Sequence, residues 1–352
     1  MENIVFTGKI NEELQQMLRE IVEDDIFILV DTETYRYCLP LLPCLASVEK
    51  SHIIVVGSGE HHKSLESASE IWSVLSVQLA KRNSVLLNLG GGMITDLGGF
   101  SASCFKRGMR YINIPTTLLA QVDASIGGKT GIDFNGLKNE IGTFSQPEKV
   151  IVDPVFLTTL PERQFLSGFA EMIKHALLSG LDSLEELLHT TPLELSGAMP
   201  LERIEKSVNV KYQIVKNDPY EKGERKALNF GHTAGHAYES LAFLRGEKLY
   251  HGEAVAQGIL FELYLSVQKE GFDKTLFSRV CKYISEIYPP QMSEINHYEL
   301  YRLMTHDKKN EREGVNFTLL KAPGKFITDC YCSEEELLVF LESFQHIVWT
   351  GE

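Results

Sequence analysis

The 352-residue sequence has no apolar run near the ~20 residues that a bilayer-spanning helix needs, no CxxC spacing and no excess of basic residues. Its 34 Lys and Arg stand against 48 Asp and Glu, a net charge of −14. A phosphate backbone wants a basic face, so nucleic acid is not expected as the main partner. A local group of cations in a cleft can still hold a small anion inside an acidic protein. The opening MENIVFTGKINEEL lacks a basic segment followed by an apolar one, so no secretory signal is expected. The six cysteines, at 38, 44, 104, 281, 330 and 332, read as reduced cytosolic thiols rather than a disulfide framework. No repeat or low-complexity tract is evident. What remains, at 43% hydrophobic and 23% charged, is a cytoplasmic globular chain long enough for two domains.

Residues 1 to 160 alternate strand-like and helix-like patterns. DIFILVD (25–31), SHIIVVGSG (51–59), SVLLNLGGG (84–92) and RYINIPTTLLAQ (110–121) are short apolar runs that end in polar or small residues, as buried parallel strands do. HKSLESASEIWSVLSVQLAKR (62–82) and MITDLGGFSASCF (93–105) have helical spacing. Beyond FLTTLPERQF (156–165) the spacing becomes helical over 166–190, 201–217, 229–243, 252–270, 273–288 and 333–346. Two β-like runs flanking Ala-Pro-Gly in 314–332 are the exception. The pattern predicts an α/β chain: a Rossmann-like parallel-sheet domain over 1–160, then a mostly α-helical domain over 161–352.

Two motif families are incomplete. In NLGGGMITDLGG, glycines at a strand end precede a helix, where free N–H groups and the helix dipole favour a pyrophosphate. Thr95 occupies the third glycine position of GxGxxG, so a tight turn before a packed helix is an equal reading. Gly-Gly-Lys-Thr (127–130) lacks the first glycine of a phosphate-binding Walker loop, which disfavours an ATPase. Asp31 ends a strand where an acid can hold a ribose, or can simply cap the next turn. SGEHHK (58–63) follows a strand and suits the adenosine end of a dinucleotide.

The helical half holds three clusters: Glu171, Lys174 and His175; His232 and His236; His251 and Glu253. Any one such histidine is more often an ordinary hydrogen-bonded residue. Three clusters beside Gly231, Gly235 and Gly252 favour a divalent-metal site with mixed ligands and an open position. His232 and His236 share a helix face, so both are candidate ligands at this stage. Thr233 replaces the general-base Glu of HExxH, which argues against a peptidase. Lys211, Arg225, Lys308 and Lys309 add cations, and DKKNEREG can equally be a solvated charge run.

GGGMITDLGGFSAS, FKRGMRYINIPTTLLAQVDASIGGKTGID, LKNEIG, SGFAEMIKHALL, ERKALNFGHTAGHAYE, HGEAVAQG and HDKKN fall in this order, and the sequence from about 57 to 320 resembles the 3-dehydroquinate synthase family of sugar-phosphate cyclases. The resemblance implies conversion of 3-deoxy-arabino-heptulosonate 7-phosphate to 3-dehydroquinate and phosphate, a step of the shikimate pathway. It implies transient oxidation by NAD, phosphate β-elimination, re-reduction, ring opening and aldol closure. It assigns a metal, Zn2+ or Co2+, to Glu171, His232 and His251. NAD falls to Asp31, Ser58, Glu60, Lys63, Gly91, Gly92, Met93, Asp96, Thr116, Thr117, Lys129, Lys138, Phe156 and Thr159. Substrate falls to Arg107, Asp123, Lys129, Lys138, Asn139, Lys174, Lys211, Arg225, Asn229, His236, Lys308 and Lys309. Lys174, His236, Lys129, Asp123 and Arg225 are the candidates for chemistry, and Arg107 is expected at the partner's site in a homodimer. GIDFNGLKN and LAFLRGEKLYHG look longer than the family pattern. The alternatives are a sister cyclase, disfavoured by cations suited to a carboxylate, and an NAD-dependent polyol dehydrogenase, which would accumulate NADH.

Overall fold

The structure, a computed structural model, describes residues 1–22, 25–135, 137–289, 295–305 and 314–350, with the backbone alone for 347–350. The chain divides into two compact units, one of residues 1–168 and 192–212, the other of 169–191 and 213–352.

The first unit is built on β1 (Ile4–Phe6), α1 (Ile10–Leu18), β2 (Ile26–Asp31), α2 (Thr32–Tyr37), β3 (Ile53–Val56), α3 (Leu65–Val77), β4 (Val85–Gly90), α4 (Gly92–Cys104), β5 (Arg110–Pro115), β6 (Lys129–Phe134), β7 (Leu137–Phe144) and β8 (Lys149–Val152). Six strands form a parallel sheet in the order β1-β8-β5-β4-β2-β3. β2 and β4 are buried at every position because both sheet faces are covered. Ile26, Ile28 and Val30 pack on one side with Ile10 and Leu14 of α1. Phe27 and Leu29 pack on the other with Ile71 of α3 and Leu97 of α4. Strand side chains alternate between faces, so one continuous apolar run serves both layers. The expected α/β architecture is present. The chain leaves β2 for β3 on one side and β4 for β5 on the other, so the sheet order reverses between β2 and β4. Ligand crevices in such sheets lie beyond the strand C-terminal ends at this reversal.

The stretch around GIDFNGLKN, for which the sequence pattern predicts no strand, is part of an antiparallel hairpin, β6 with β7. Gly131 and Gly142 face each other there, and a Cβ on Gly142 would sit 2.3 Å from the Thr130 carbonyl oxygen. Hydroxyl contacts of Thr143 with Thr130 (2.7 Å) and with Ser103 of α4 (2.9 Å) fasten the hairpin to the unit. Those contacts are tertiary, which is why a local reading missed them.

The rest of the chain is mostly helical: α5 (Glu162–Ser179), α6 (Leu181–Leu188), α7 (Leu201–Asn217), α8 (His232–Leu244), α9 (His251–Glu270), α10 (Lys274–Ile287), α11 (His297–Thr305), the strands β9 (Val315–Ala322) and β10 (Lys325–Cys332), and α12 (Glu334–Thr350). β9 and β10 pair antiparallel about the expected Pro-Gly turn. α9 is the buried centre of the second unit: Ala254, Val255, Ile259, Leu260 and Leu263 are fully buried. α11, with only Leu300 and Met304 buried, carried too short an apolar stripe to be anticipated. Among the described residues no helix is long and apolar enough to cross a membrane. All six cysteines are free.

Candidate functional site

In the second unit, three donors converge. Glu171 projects from α5 and is fully buried. Its Oε1 lies 3.4 Å from His232 Nε2 and 3.3 Å from His251 Nε2. One ligand atom from each residue lies within 4.8 Å of the other two. Each imidazole is aimed by its second nitrogen. His232 Nδ1 is 3.1 Å from the Phe230 carbonyl oxygen, and His251 Nδ1 is 3.5 Å from Glu239 Oε2. The separations exceed the about 2.7–2.9 Å of a charge-assisted hydrogen bond, which suits donors placed around an ion rather than against one another. Two imidazoles and a carboxylate are a ligand set that zinc or cobalt accepts, with a position left for substrate. The residues fit such an ion.

The electrostatics are those of a strongly coupled cluster. Burial alone would raise the Glu171 carboxyl. Lys174, with Nζ 2.5 Å from Glu171 Oε2, together with His232 and His251, holds it well below the usual carboxylate range. Burial and the Lys174 charge push the His232 imidazole down to about 3. Burial also opposes a charge on His251, but its hydrogen bonding to Glu171 and Glu239 prevails and holds it up at about 10.

The i, i+4 histidine pair divides. The His236 ring is as near that of His232 as the His251 ring is, 5.4 Å centre to centre, but His236 is not in the group whose ligand atoms converge. Glu253 accepts the Tyr250 N–H at 2.8 Å and so caps α9. His175 is buried on α5. Arg225 is buried and donates from Nη1 to the Pro219 carbonyl at 2.5 Å. Asn229 donates to Glu221 Oε1 at 2.8 Å.

In the first unit, residues singled out for a dinucleotide gather at the strand C-terminal ends. α4 starts at Gly92 after Gly91, with no side-chain cap on its first N–H groups. The Thr116 N–H donates to the Gly90 carbonyl at 2.9 Å, which sets Thr116 and Thr117 beside the glycines. Asp31 accepts the N–H groups of Glu33 and Thr34, each at 2.8 Å, so its carboxylate caps α2. Ser58, Glu60 and Lys63 follow β3. The Lys63 ammonium is buried and donates to Asp96 Oδ2 and Asn139 Oδ1, each at 2.6 Å, with Glu60 Oε1 at 3.8 Å. Burial would depress Lys63, but Asp96 and Glu60 outweigh it and raise its pKa. Lys63 thereby joins a cofactor candidate to a substrate candidate. Lys211, on the part of α7 within this unit, forms an ion pair with Asp123, Nζ to Oδ1 at 2.9 Å, and donates to the Asp123 carbonyl at 2.8 Å. Phe156 is fully buried and Met93 half-buried; the Thr159 hydroxyl donates to the Phe156 carbonyl. Lys129 and Lys138 are exposed on the hairpin, and Arg107 is exposed with φ +63°. Lys308 and Lys309 lie outside the described residues.

The family model described as 3-dehydroquinate synthase N-terminal matches residues 53–167, and the one described as 3-dehydroquinate synthase C-terminal matches 168–310. A 3-dehydroquinate synthase of Parabacteroides distasonis is 47% identical over 345 residues, covering 98% of each chain. This chain belongs to the 3-dehydroquinate synthase family. A family member from Clostridium tetani is 37% identical over 90% of this chain and 85% of its own. By fold, the chain is similar to 2-epi-5-epi-valiolone synthase from Streptomyces hygroscopicus, solved with NAD+ and Zn2+ bound. That similarity has a TM-score of 0.84 at 23% identity, over 98% of this chain and 96% of the other.

Within this family frame, two acids emerge that motif reading passed over. Glu239 orients His251. It follows His232 by seven residues, two turns along the same helix face, which was a signal available in the sequence. Glu262 stands in the apolar run ILFELYL of α9, where a charge is out of place.

Proposed function

We propose that the chain is a 3-dehydroquinate synthase. It converts 3-deoxy-arabino-heptulosonate 7-phosphate to 3-dehydroquinate and inorganic phosphate, with no net redox change. The observation that carries this reading is the 47% identity to the Parabacteroides distasonis enzyme over essentially the whole of both chains. When bound, NAD supplies a transient hydride acceptor and a divalent ion supplies charge stabilisation at the substrate oxygens.

Glu171, His232 and His251 are the residues that would hold the ion, and the convergence of their ligand atoms supports this. The glycines before α4, with Thr116 and Thr117, would receive the NAD phosphates. Asp31, Ser58, Glu60, Lys63 and Asp96, together with Met93, Phe156 and Thr159, would line the rest of that crevice. Lys129, Lys138, Asn139 and the lysines at 308 and 309 would bind the substrate phosphate. Lys211, Arg225 and Asn229 would meet its carboxylate, since guanidinium and ammonium groups match planar anions. Lys174 and His236 would face the ring hydroxyls, with His236 able to take or return a proton there. Asp123 would position substrate beside the nicotinamide. The reading extends to a cytoplasmic homodimer in which Arg107 reaches the partner's site.

The test is an assay of the full chain with the heptulosonate phosphate, NAD and Zn2+ or Co2+. Equal amounts of dehydroquinate and phosphate are expected, with no accumulation of NADH. Net NADH without dehydroquinate would instead indicate a plain dehydrogenase.

A further inference from the structure

Helix α8 begins with the candidate ligand His232, yet it lacks a cap of its own. Its N-cap is Gly231, in the left-handed region at φ +78°, with no side chain to receive the first N–H groups. The first turn of any helix leaves such groups without intrahelical partners, and burying them unpaired is costly. Here the partner comes from another helix. Glu262 of α9 is fully buried; its Oε2 accepts the Gly231 N–H at 2.7 Å, and its Oε1 lies 3.3 Å from the Ala234 nitrogen as acceptor. The carboxylate also places negative charge at the positive end of the α8 dipole.

This arrangement needs an unusually close approach of the two helices. A Cβ on Gly258 of α9 would fall 1.9 Å from the Gly231 carbonyl oxygen and 2.6 Å from the Gly235 nitrogen. A Cβ on Gly231 would fall 2.5 Å from Ile259 Cγ1. Glycine at these positions lets α9 bring Glu262 beneath the start of α8. Glu262 is itself held: the Ser266 hydroxyl donates to its carbonyl at 2.6 Å and accepts the Leu320 N–H of β9 at 2.9 Å.

We propose that Glu262 is a positioning residue for the metal centre: by fixing the first turn of α8 it sets His232 against Glu171 and His251, and so sets affinity for the divalent ion. The proposal rests on the ligand assignment made above. Ligand donors must be held to within about 0.5 Å for a productive site. His232 is the first helical residue, so its Cα moves with the turn that Glu262 holds. Losing the carboxylate would leave the Gly231 and Ala234 N–H groups without these acceptors and free the turn to shift.

The experiment uses the full chain, stripped of metal, and Zn2+ alone as the probe, titrated against a chromophoric chelator. Glu262→Ala is expected to weaken Zn2+ binding about 10- to 100-fold, the range for partners that orient metal ligands. The absorption spectrum of the Co2+-loaded variant should differ from that of the parent, because ligand geometry has changed, while NAD affinity stays the same. Val280→Ala, in the buried face of α10, serves as a control for general loosening: it should lower the melting temperature and leave Zn2+ affinity unchanged. If Glu262→Ala does not fold, Glu262→Gln carries the comparison. It keeps one acceptor and turns an amide N–H toward the other donor, so a smaller loss in the same direction is expected. Parent-like Zn2+ affinity and Co2+ spectrum in the folded variant would overturn the positioning role and leave the ligand assignment standing. A parent protein that binds neither ion would overturn both, and would do so before any variant is compared.

Discussion

Lys174 Nζ lies 2.5 Å from Glu171 Oε2, with both side chains almost wholly buried. A buried pair of this kind stabilises little in net terms, yet removing Lys174 takes away the nearest cation from the Glu171 carboxylate in a dry site, leaving His251 to neutralise it. Lys174→Met should therefore lower the stability of the metal-free protein by about 3–5 kcal/mol. A divalent ion would take over the neutralisation of Glu171. The deficit should then shrink when Zn2+ is added, a difference readable by denaturant unfolding with and without metal.

His232 and His236 are neighbours on one helix with different surroundings. His232→Ala should abolish tight Zn2+ binding. His236→Ala should retain the metal and lose about 10²- to 10⁴-fold in kcat, the usual range for a proton-transfer group. Metal content of the purified variants, measured beside turnover, separates the two. Equal metal loss in both would mean the helix pair is a ligand pair.

Metal affinity should depend on pH with a definite sign. In the metal-free protein Glu171 and Glu239 keep His251 protonated up to about 10. A bound ion requires the neutral ring, so Zn2+ affinity should climb as pH rises from 6.5 to 8.5, by up to about tenfold per unit for one released proton. Stability of the metal-free protein follows the opposite course. The folded pKa of His251 lies above its ordinary 6.5, so the stabilisation it supplies is complete below 6.5 and is lost as pH rises toward 10. Chelator titrations and thermal melts across this window check the two slopes.

Lys63 ties Asp96 on α4 to Asn139 on the hairpin. Lys63→Met should weaken NAD binding and raise KM for the phosphate substrate together, while Zn2+ affinity is unchanged. An effect confined to NAD would show that the hairpin does not depend on this lysine. Fluorescence titration of NADH and steady-state kinetics supply the two readings.

Gly258→Ala places a methyl group 1.9 Å from the Gly231 carbonyl oxygen. Backbone cannot yield as a flexible side chain does, so the helices must part. A loss of about 1–3 kcal/mol or more is expected. Gly271→Ala, with open space about its Cβ position but φ +75°, should act through backbone strain alone and cost about 1 kcal/mol. Urea denaturation of the two variants gives the comparison.

The α/β half was legible because buried parallel strands write themselves as continuous apolar runs, as IFILVD and VLLNLG do. The glycine-rich helix start was legible for the same local reason. The sequence by itself determined which residue types were available for metal, phosphate and carboxylate, and their order along the chain. It could not decide between His232 and His236 as ligands, because helical periodicity treats positions i and i+4 alike. Tertiary structure separates the two in position: Glu171, sixty-one residues earlier in the chain, comes within 3.4 Å of His232, and the converging trio includes His232 and not His236. Glu253, grouped with His251 by proximity in sequence, turned out to cap α9, whereas Glu239 and Glu262 gained their roles from helix packing. The hairpin at Lys129–Phe144 likewise depends on hydroxyls of Ser103, Thr130 and Thr143 meeting across the fold. Local sequence sets propensity and chemistry; which donors converge is a property of distances between segments, and those exist only once the core has closed around them.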